Sequence, residues 1–169
     1  MSVDILHNQI HIIGIIDDVL ARKFIEKFDL VLSDPLPNVE LHISSLGGLI
    51  PAMEDMLVKI QLSYKPIEVY IHNTFVYSGV ASAASVIASF ASVKTIDFNA
   101  TFMIHHGCHD NAVVEKEEDI IFWMEKTELD YDVVDHLLKA ETVMDANLAS
   151  LFGFIDNIRY ELYEPIVAC

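Results

Sequence analysis

The readable pattern begins at Gln9-Ile-His-Ile-Ile-Gly14, a β-branched run ended by a glycine. Asp17-Asp18 stands where a helix N-cap belongs, ahead of the apolar spacing in Val19-Leu20-Ala21-Arg22-Lys23-Phe24-Ile25. The first unit therefore reads strand, turn, helix. Asp34-Pro35-Leu36-Pro37-Asn38 signals a loop, and Val39-Glu40-Leu41-His42-Ile43 then alternates like a strand and runs into Ser44-Ser45-Leu46-Gly47-Gly48. A helix is expected from about Pro51 to Leu62, and Pro66 introduces a further strand from Ile67 to Ile71. The Ala- and Ser-rich segment from Ser82 to Ala91 has the small residues a close-packed helix needs.

Phe102-Met103-Ile104 is a short apolar strand ending in His105-His106, and a charged loop follows. One long helical region is expected from about Glu115 to Lys139, because Ile120, Trp123, Met124, Val134, Leu137 and Leu138 recur at near-helical spacing. Leu148 to Phe152 gives a last helix closed by Gly153, and a tail starts at Ile155-Asp156. Strands alternating with helices predict an α/β layered domain with a mostly parallel sheet. No repeat, low-complexity tract or linker interrupts it, so residues 1–169 are expected to form a single domain.

Charge narrows the partners. The chain has 169 residues with 10 Lys and Arg against 26 Asp and Glu, a net charge of −16, and is 53% hydrophobic. That apolar share can fill a core, which excludes intrinsic disorder. Nucleic-acid binding draws on clustered cations, and the sequence has no such cluster; anionic membranes are disfavoured for the same reason. The most apolar stretch, Val80 to Val93, contains Ser82, Ser85, Ser89 and Ser92 and stops at Lys94, short of the roughly 20 residues a membrane span needs. Cys108 and Cys169 cannot make a disulfide framework, and Met1-Ser2-Val3-Asp4 lacks a signal peptide's basic start, so a cytoplasmic location is expected. High apolar content beside strong charge also fits an oligomer with apolar subunit contacts.

The chemistry concentrates at strand ends. The Ser44-to-Gly48 turn closes a strand at the edge where α/β sheets place ligands. Its paired glycines leave backbone N–H groups open to an oxyanion or an extended peptide, although a plain strand-to-helix turn would read the same way. Ser78-Gly79-Val80-Ala81-Ser82-Ala83-Ala84-Ser85 follows a strand and opens a helix, which presents Ser82 at the positive end of the helix dipole. A serine needs a base, and His105 ends the next expected strand, on the same edge of the sheet; His106 and His109 are rivals. His105-His106-Gly107-Cys108-His109 could also be a metal cluster, but no second ligand group at zinc-type spacing accompanies it, and neither metal nor other cofactor is expected.

Gly-Gly after one strand, Gly-x-Ala-Ser at a helix start and Met-Ile-His after another strand occur in this order, and together they resemble the ClpP-like serine proteases, the proteolytic subunits of Clp protease, within the ClpP/crotonase superfamily. Ser44-Ser45-Leu46-Gly47-Gly48 resembles that family's Asn-Ser-Pro-Gly-Gly turn, Gly79-Val80-Ala81-Ser82 its nucleophile segment, and Phe102-Met103-Ile104-His105 its Met-Ile-His segment. Ile10 to Asp17 and Ala149 to Asp156 extend the likeness over nearly the whole chain. The resemblance implies a layered fold of repeated β-β-α units. It implies Ser82 as nucleophile, His105 as general base, Glu141 as the acid, Gly48 and Ala83 N–H as oxyanion donors, and substrate main chain beside Gly47. Asp135 and Asp145 compete with Glu141. It further implies a homo-oligomeric heptameric ring, a polypeptide substrate and an ATP-driven unfoldase as partner.

This sequence departs from the family at Leu46, Phe98 and His106, and the nucleophile segment is one residue short, so that an ungapped alignment from Gly79 places Ala83 at the attacking position. The span from His105 to Glu141 is also short, which predicts a reduced handle helix and counts against stacked rings. Leading among the readings is an ATP-dependent type of serine endopeptidase. A non-catalytic subunit of the same fold and a crotonase-type acyl-CoA enzyme are the alternatives. The last would need a basic phosphate pocket, for which the sequence offers few cations.

Overall fold

The structure is a computed structural model and describes residues 8–109, 112–114 and 116–161. Its first half follows the alternation: β1 (Gln9–Ile13), α1 (Asp18–Ser33), β2 (Val39–Ser44), α2 (Ile50–Gln61) and β3 (Ile67–Ile71). The Asp17 carboxylate accepts from Val19 and Leu20 N–H, the side-chain cap that starts α1. Pro51 sits in the first turn of α2, where its missing N–H costs nothing.

A three-residue β4 (Gly79–Ala81) leads into α3 (Ala83–Ser89), followed by β5 (Val93–Asp97) and β6 (Thr101–Met103). A small hairpin of β7 (Cys108–His109) and β8 (Ala112–Val113) precedes two helices, α4 (Glu117–Thr127) and α5 (Tyr131–Lys139). The single helix expected from Glu115 to Lys139 is thus two. The break is Glu128, a left-handed residue at φ 62° that caps α4, after which Asp130 starts α5. A non-glycine in that conformation gives no breaker signal in the sequence. β9 (Val143–Asp145), α6 (Ala146–Leu151) and β10 (Asn157–Arg159) complete the chain, and β5 and β10 are strands the sequence pattern did not announce.

β1, β2, β3, β5 and β10 pair in that order in a wholly parallel sheet. The register puts Ile12, Ile43, Ile71 and Ile96 in one row, and these side chains are buried in the cluster that includes Phe24 and Phe28 of α1 and Met56 of α2. A second sheet, β4-β6-β9, packs Phe102 against Trp123 of α4 and against Phe154, with ring centroids 6.1 and 5.3 Å apart. Phe102 is fully buried. Among the described residues no helix is long and apolar enough to cross a membrane.

Candidate active site

The turn after β2 is built by its two serines. Ser45 pairs with β4 through its backbone, donating to Gly79 O (2.9 Å) and accepting from Ala81 N (3.0 Å), while its side-chain oxygen accepts the Gly47 N–H at 3.1 Å. Ser44 Oγ donates to Tyr77 O at 3.0 Å and lies 2.9 Å from Thr74 Oγ1, tying the turn to the β3–β4 loop. Ile16 N donates to Gly47 O, and Leu49 N donates to Ile16 O, at 2.9 and 2.8 Å. In such a parallel bridge the Gly48 N–H and C=O face away from Ile16 and into the open. Gly48 is exposed; a Cβ there would lie 2.1 Å from Ile16 O, so only glycine fits.

Ser82 joins β4 to α3 with φ 55° and ψ −126°, a strained position for a residue with a side chain. It is the N-cap of α3, yet its hydroxyl makes no cap hydrogen bond, and the side chain is half-buried. Its carbonyl accepts from Ser85 and Val86 N at 2.9 and 3.2 Å, which leaves Ala83 N–H as the first donor of the helix, outside the intrahelical ladder. Gly47 (φ 88°) packs directly on this elbow: a Cβ built on it would meet Ala81 O, Ser82 Cβ and Ala83 N at 2.7, 2.8 and 2.9 Å. Of the two nucleophile registers left open by the sequence, the structure puts Ser82 at the strained elbow, whereas Ala83 is buried in the first turn of α3.

His105 follows β6. As expected for a base beside Ser82, it leaves the same edge of the same sheet as the serine segment, but that sheet is the second one, β4-β6-β9, and not the five-stranded sheet. The serine and histidine segments meet there: β4 and β6 are parallel neighbours with Ala81 opposite Met103, and Ser82 N donates to Met103 O at 3.3 Å. β6 runs antiparallel to β9 with Met103 opposite Val143, and Ile104 N donates to Thr142 O, so the chain leaving β6 at His105 and the chain entering β9 from Glu141 lie at the same end of this pair. Glu141 is exposed in the turn after α5, with φ 49°. Its competitors are otherwise engaged. Asp135 binds Lys139 at 2.9 Å and Asp145 caps α6 through Leu148 N.

Of the rival bases, His106 is buried with Nδ1 3.3 Å from Asp119 of α4, which directs it into the core. The side chains of Cys108 and His109 lie outside the described residues. Among the described residues no three His, Cys, Asp or Glu side chains are grouped as a metal site. Two contributors escaped the sequence reading. Ser45 holds the Gly47 amide, and Ser85 Oγ donates to Met103 O at 2.7 Å, locking α3 to the strand before His105. Both lay inside motifs already singled out, and only the side-chain hydrogen bonds give them a role.

No curated protein matches the chain. Among solved structures, ClpP1 from Listeria monocytogenes matches with a TM-score of 0.74 at 19% identity, covering 92% of each chain. A point mutant of that protein gives a TM-score of 0.75 with the same identity and coverage, so the fold is shared. The Clp protease family model matches residues 4–161, and by that match over nearly its whole length the chain belongs to the Clp protease family.

Proposed function

We propose that this chain is a serine endopeptidase subunit that cleaves extended or unfolded polypeptide. The observation that carries the reading is the Ser82 elbow, a half-buried hydroxyl at φ 55° between a strand and a helix start, with Gly47 packed on it. Its strain is what a presented nucleophile would require.

In this reading, substrate lies extended beside Gly47 and Gly48 and is held main chain to main chain, so sequence preference is weak and access governs specificity. His105 takes the Ser82 hydroxyl proton as Oγ attacks the scissile carbonyl. The negative oxygen of the tetrahedral intermediate accepts from Gly48 and Ala83 N–H, and Glu141 orients the imidazole. The His105 proton then passes to the leaving amine. Water, deprotonated by the same histidine, releases the acyl group as a carboxylate and restores Ser82.

Assembly into a heptameric ring in the cytoplasm, supplied with extended chain by an ATP-driven unfoldase, belongs to the same proposal. It is supported by large apolar side chains left exposed beside the strand ends, among them Ile15, Leu49, Phe75 and Val76. Hydrolysis of an unfolded polypeptide, followed by mass spectrometry of the fragments, tests the reading. Cleavage by the wild type that disappears in both Ser82→Ala and His105→Ala supports it; cleavage retained in Ser82→Ala overturns it.

A further inference from the structure

The face of the five-stranded sheet opposite the isoleucine row carries polar and titratable side chains that the proposed hydrolysis does not use. Parallel sheets ordinarily bury apolar residues on both faces. Here the register sets His11, His42 and Tyr70 side by side, and the next row holds Ser44, His72, Asp97 and Arg159. The His42 ring stacks on His11 at 4.8 Å and on Tyr70 at 5.1 Å.

A chain of hydrogen bonds runs across four strands. His42 Nε2 lies 3.5 Å from Glu40 Oε2, which also accepts from Gln9 at 2.8 Å. His42 Nδ1 lies 2.9 Å from His72 Nε2, and His72 Nδ1 lies 3.0 Å from Asp97 Oδ2. Arg159 donates from Nε to Asp97 at 2.9 Å, and its Nη2 lies 2.9 Å from the same His72 Nδ1. His42, His72 and Asp97 are only 7, 2 and 4% exposed.

The hydrogens on the four ring nitrogens can be counted. With two, Arg159 donates to His72, His72 donates to His42, and His42 donates to Glu40. With three, His42 donates to Glu40, one hydrogen bridges the rings, and His72 donates to Asp97. Either count puts a single hydrogen between the two rings, and His72 Nδ1, approached by both Arg159 and Asp97, accepts from the first in one count and donates to the second in the other. A fourth sets two N–H groups against each other across 2.9 Å, with Arg159 alongside. Glu40 and Asp97, with Glu68 behind the Tyr70 hydroxyl at 3.0 Å, favour the added charge; His11, itself near Lys27 of α1, and Arg159 oppose it.

This chain is joined to the loops of the candidate site. His72 N donates to Ile43 O at 2.9 Å, Asn73 N donates to Asp97 Oδ2 at 3.4 Å, and Thr74 and Tyr77 hold Ser44. Ser44 opens the Gly47-Gly48 turn, and the loop from His72 ends at the strand that presents Ser82. We propose that the His42–His72–Asp97–Arg159 chain is a proton-limited clamp that positions these two loops, and that uptake of a fourth ring hydrogen in acid releases them. The proposal rests on the peptidase reading only for what the loops do. Burial, then the neighbouring His72 and His11, pushes His42 down to about 4 against the opposing pull of Glu40, which places the release in acid.

Hydrogen–deuterium exchange of the full chain between pH 7 and pH 4, corrected for intrinsic exchange, tests this directly. Segments 43–50 and 72–81 are expected to lose at least tenfold in protection towards pH 4 while α1 keeps its own. In His42→Gln, which hydrogen-bonds without titrating, that loss is expected to vanish. Should His42→Gln not fold, Asp97→Asn is expected to move the release to a different pH. Uniform loss across α1 and both loops, or loops that keep their protection down to pH 4, overturns the clamp. Fluorophosphonate labelling in the same samples separates the two claims. A wild type that never labels but opens as described refutes the peptidase reading and leaves the clamp standing.

Discussion

Gly47→Ala puts the geometry of the elbow to a quantitative test, because a matched control isolates the effect. Gly14 also has positive φ (119°), but a Cβ there meets nothing within 4 Å. Gly14→Ala therefore reports backbone strain alone, about 1–2 kcal/mol. Gly47→Ala carries positive-φ strain of the same kind (φ 88°) and adds contacts at 2.7 to 2.9 Å, all with the backbone or Cβ of residues 81–83, which cannot swing aside as a flexible side chain would. To reach ordinary contact at 3.4 Å the turn and elbow must separate by about 0.5–0.7 Å. A shift of that size, between a nucleophile and the amides that face its oxyanion, costs on the order of 10²-fold in rate. The assay is urea unfolding of both variants alongside the second-order rate of fluorophosphonate labelling. Gly47→Ala is expected to lose roughly 1–3 kcal/mol more than Gly14→Ala and to label about 100-fold more slowly, with Gly14→Ala labelling as wild type. Equal labelling rates in the two variants would refute the packing argument.

Three further outcomes are expected. Glu141→Ala lowers the peptidase rate by about 10- to 10³-fold with Glu141→Gln intermediate, while Asp135→Ala and Asp145→Ala leave it within a few-fold; the comparison of kcat/KM values checks the assignment of the acid. Phe102→Ala, which empties a fully buried position between Trp123 and Phe154, costs about 3–5 kcal/mol in denaturant unfolding without altering the labelling chemistry of the folded fraction. The pH dependence of stability follows from His42. Its folded pKa of about 4 lies below the ordinary 6.5, so the unfolded chain binds more protons between these values, and stability is full above about 6.5 and falls as the pH drops towards 4. The loss from His42 amounts to at most about 3 kcal/mol, and in His42→Gln only the smaller part owed to His11, also held below its ordinary value, is expected to remain when urea midpoints are compared across that window.

The α/β class and the first three strands were legible because each joins a clear period to a clear stop: Gly14 after β1, the Pro35–Pro37 loop before β2, and Pro66 before β3. β5 was not. Val93 to Asp97 buries only Ile96 and Asp97, and Asp97 is buried for its bonds to His72 and Arg159, contacts with residues far apart in the chain. β10 is three residues long and directly follows a turn, too short for any period to show. The site segments were legible because their chemistry is local: two glycines after a strand, a serine opening a helix, a histidine closing a strand. What joins them is not local. That Glu141 and His105 flank the same end of the β6–β9 pair depends on its register, and no spacing between residues 105 and 141 encodes it. The histidine chain behind the site was invisible for the same reason, since its members come from β2, the end of β3, β5 and β10. Burial holds Asp97 up while the hydrogen bonds from His72 and Arg159 outweigh it and keep the carboxyl below its usual range, a balance set wholly by tertiary contacts.

The most direct test of the account is to locate the adduct. After fluorophosphonate treatment of the assembled protein, fragment mass spectrometry is expected to find one modification, on Ser82, absent from His105→Ala and undiminished in His106→Ala. Modification of Ser78 or Ser85 instead, or an unmodified Ser82 in a folded protein that cleaves polypeptide, would contradict it.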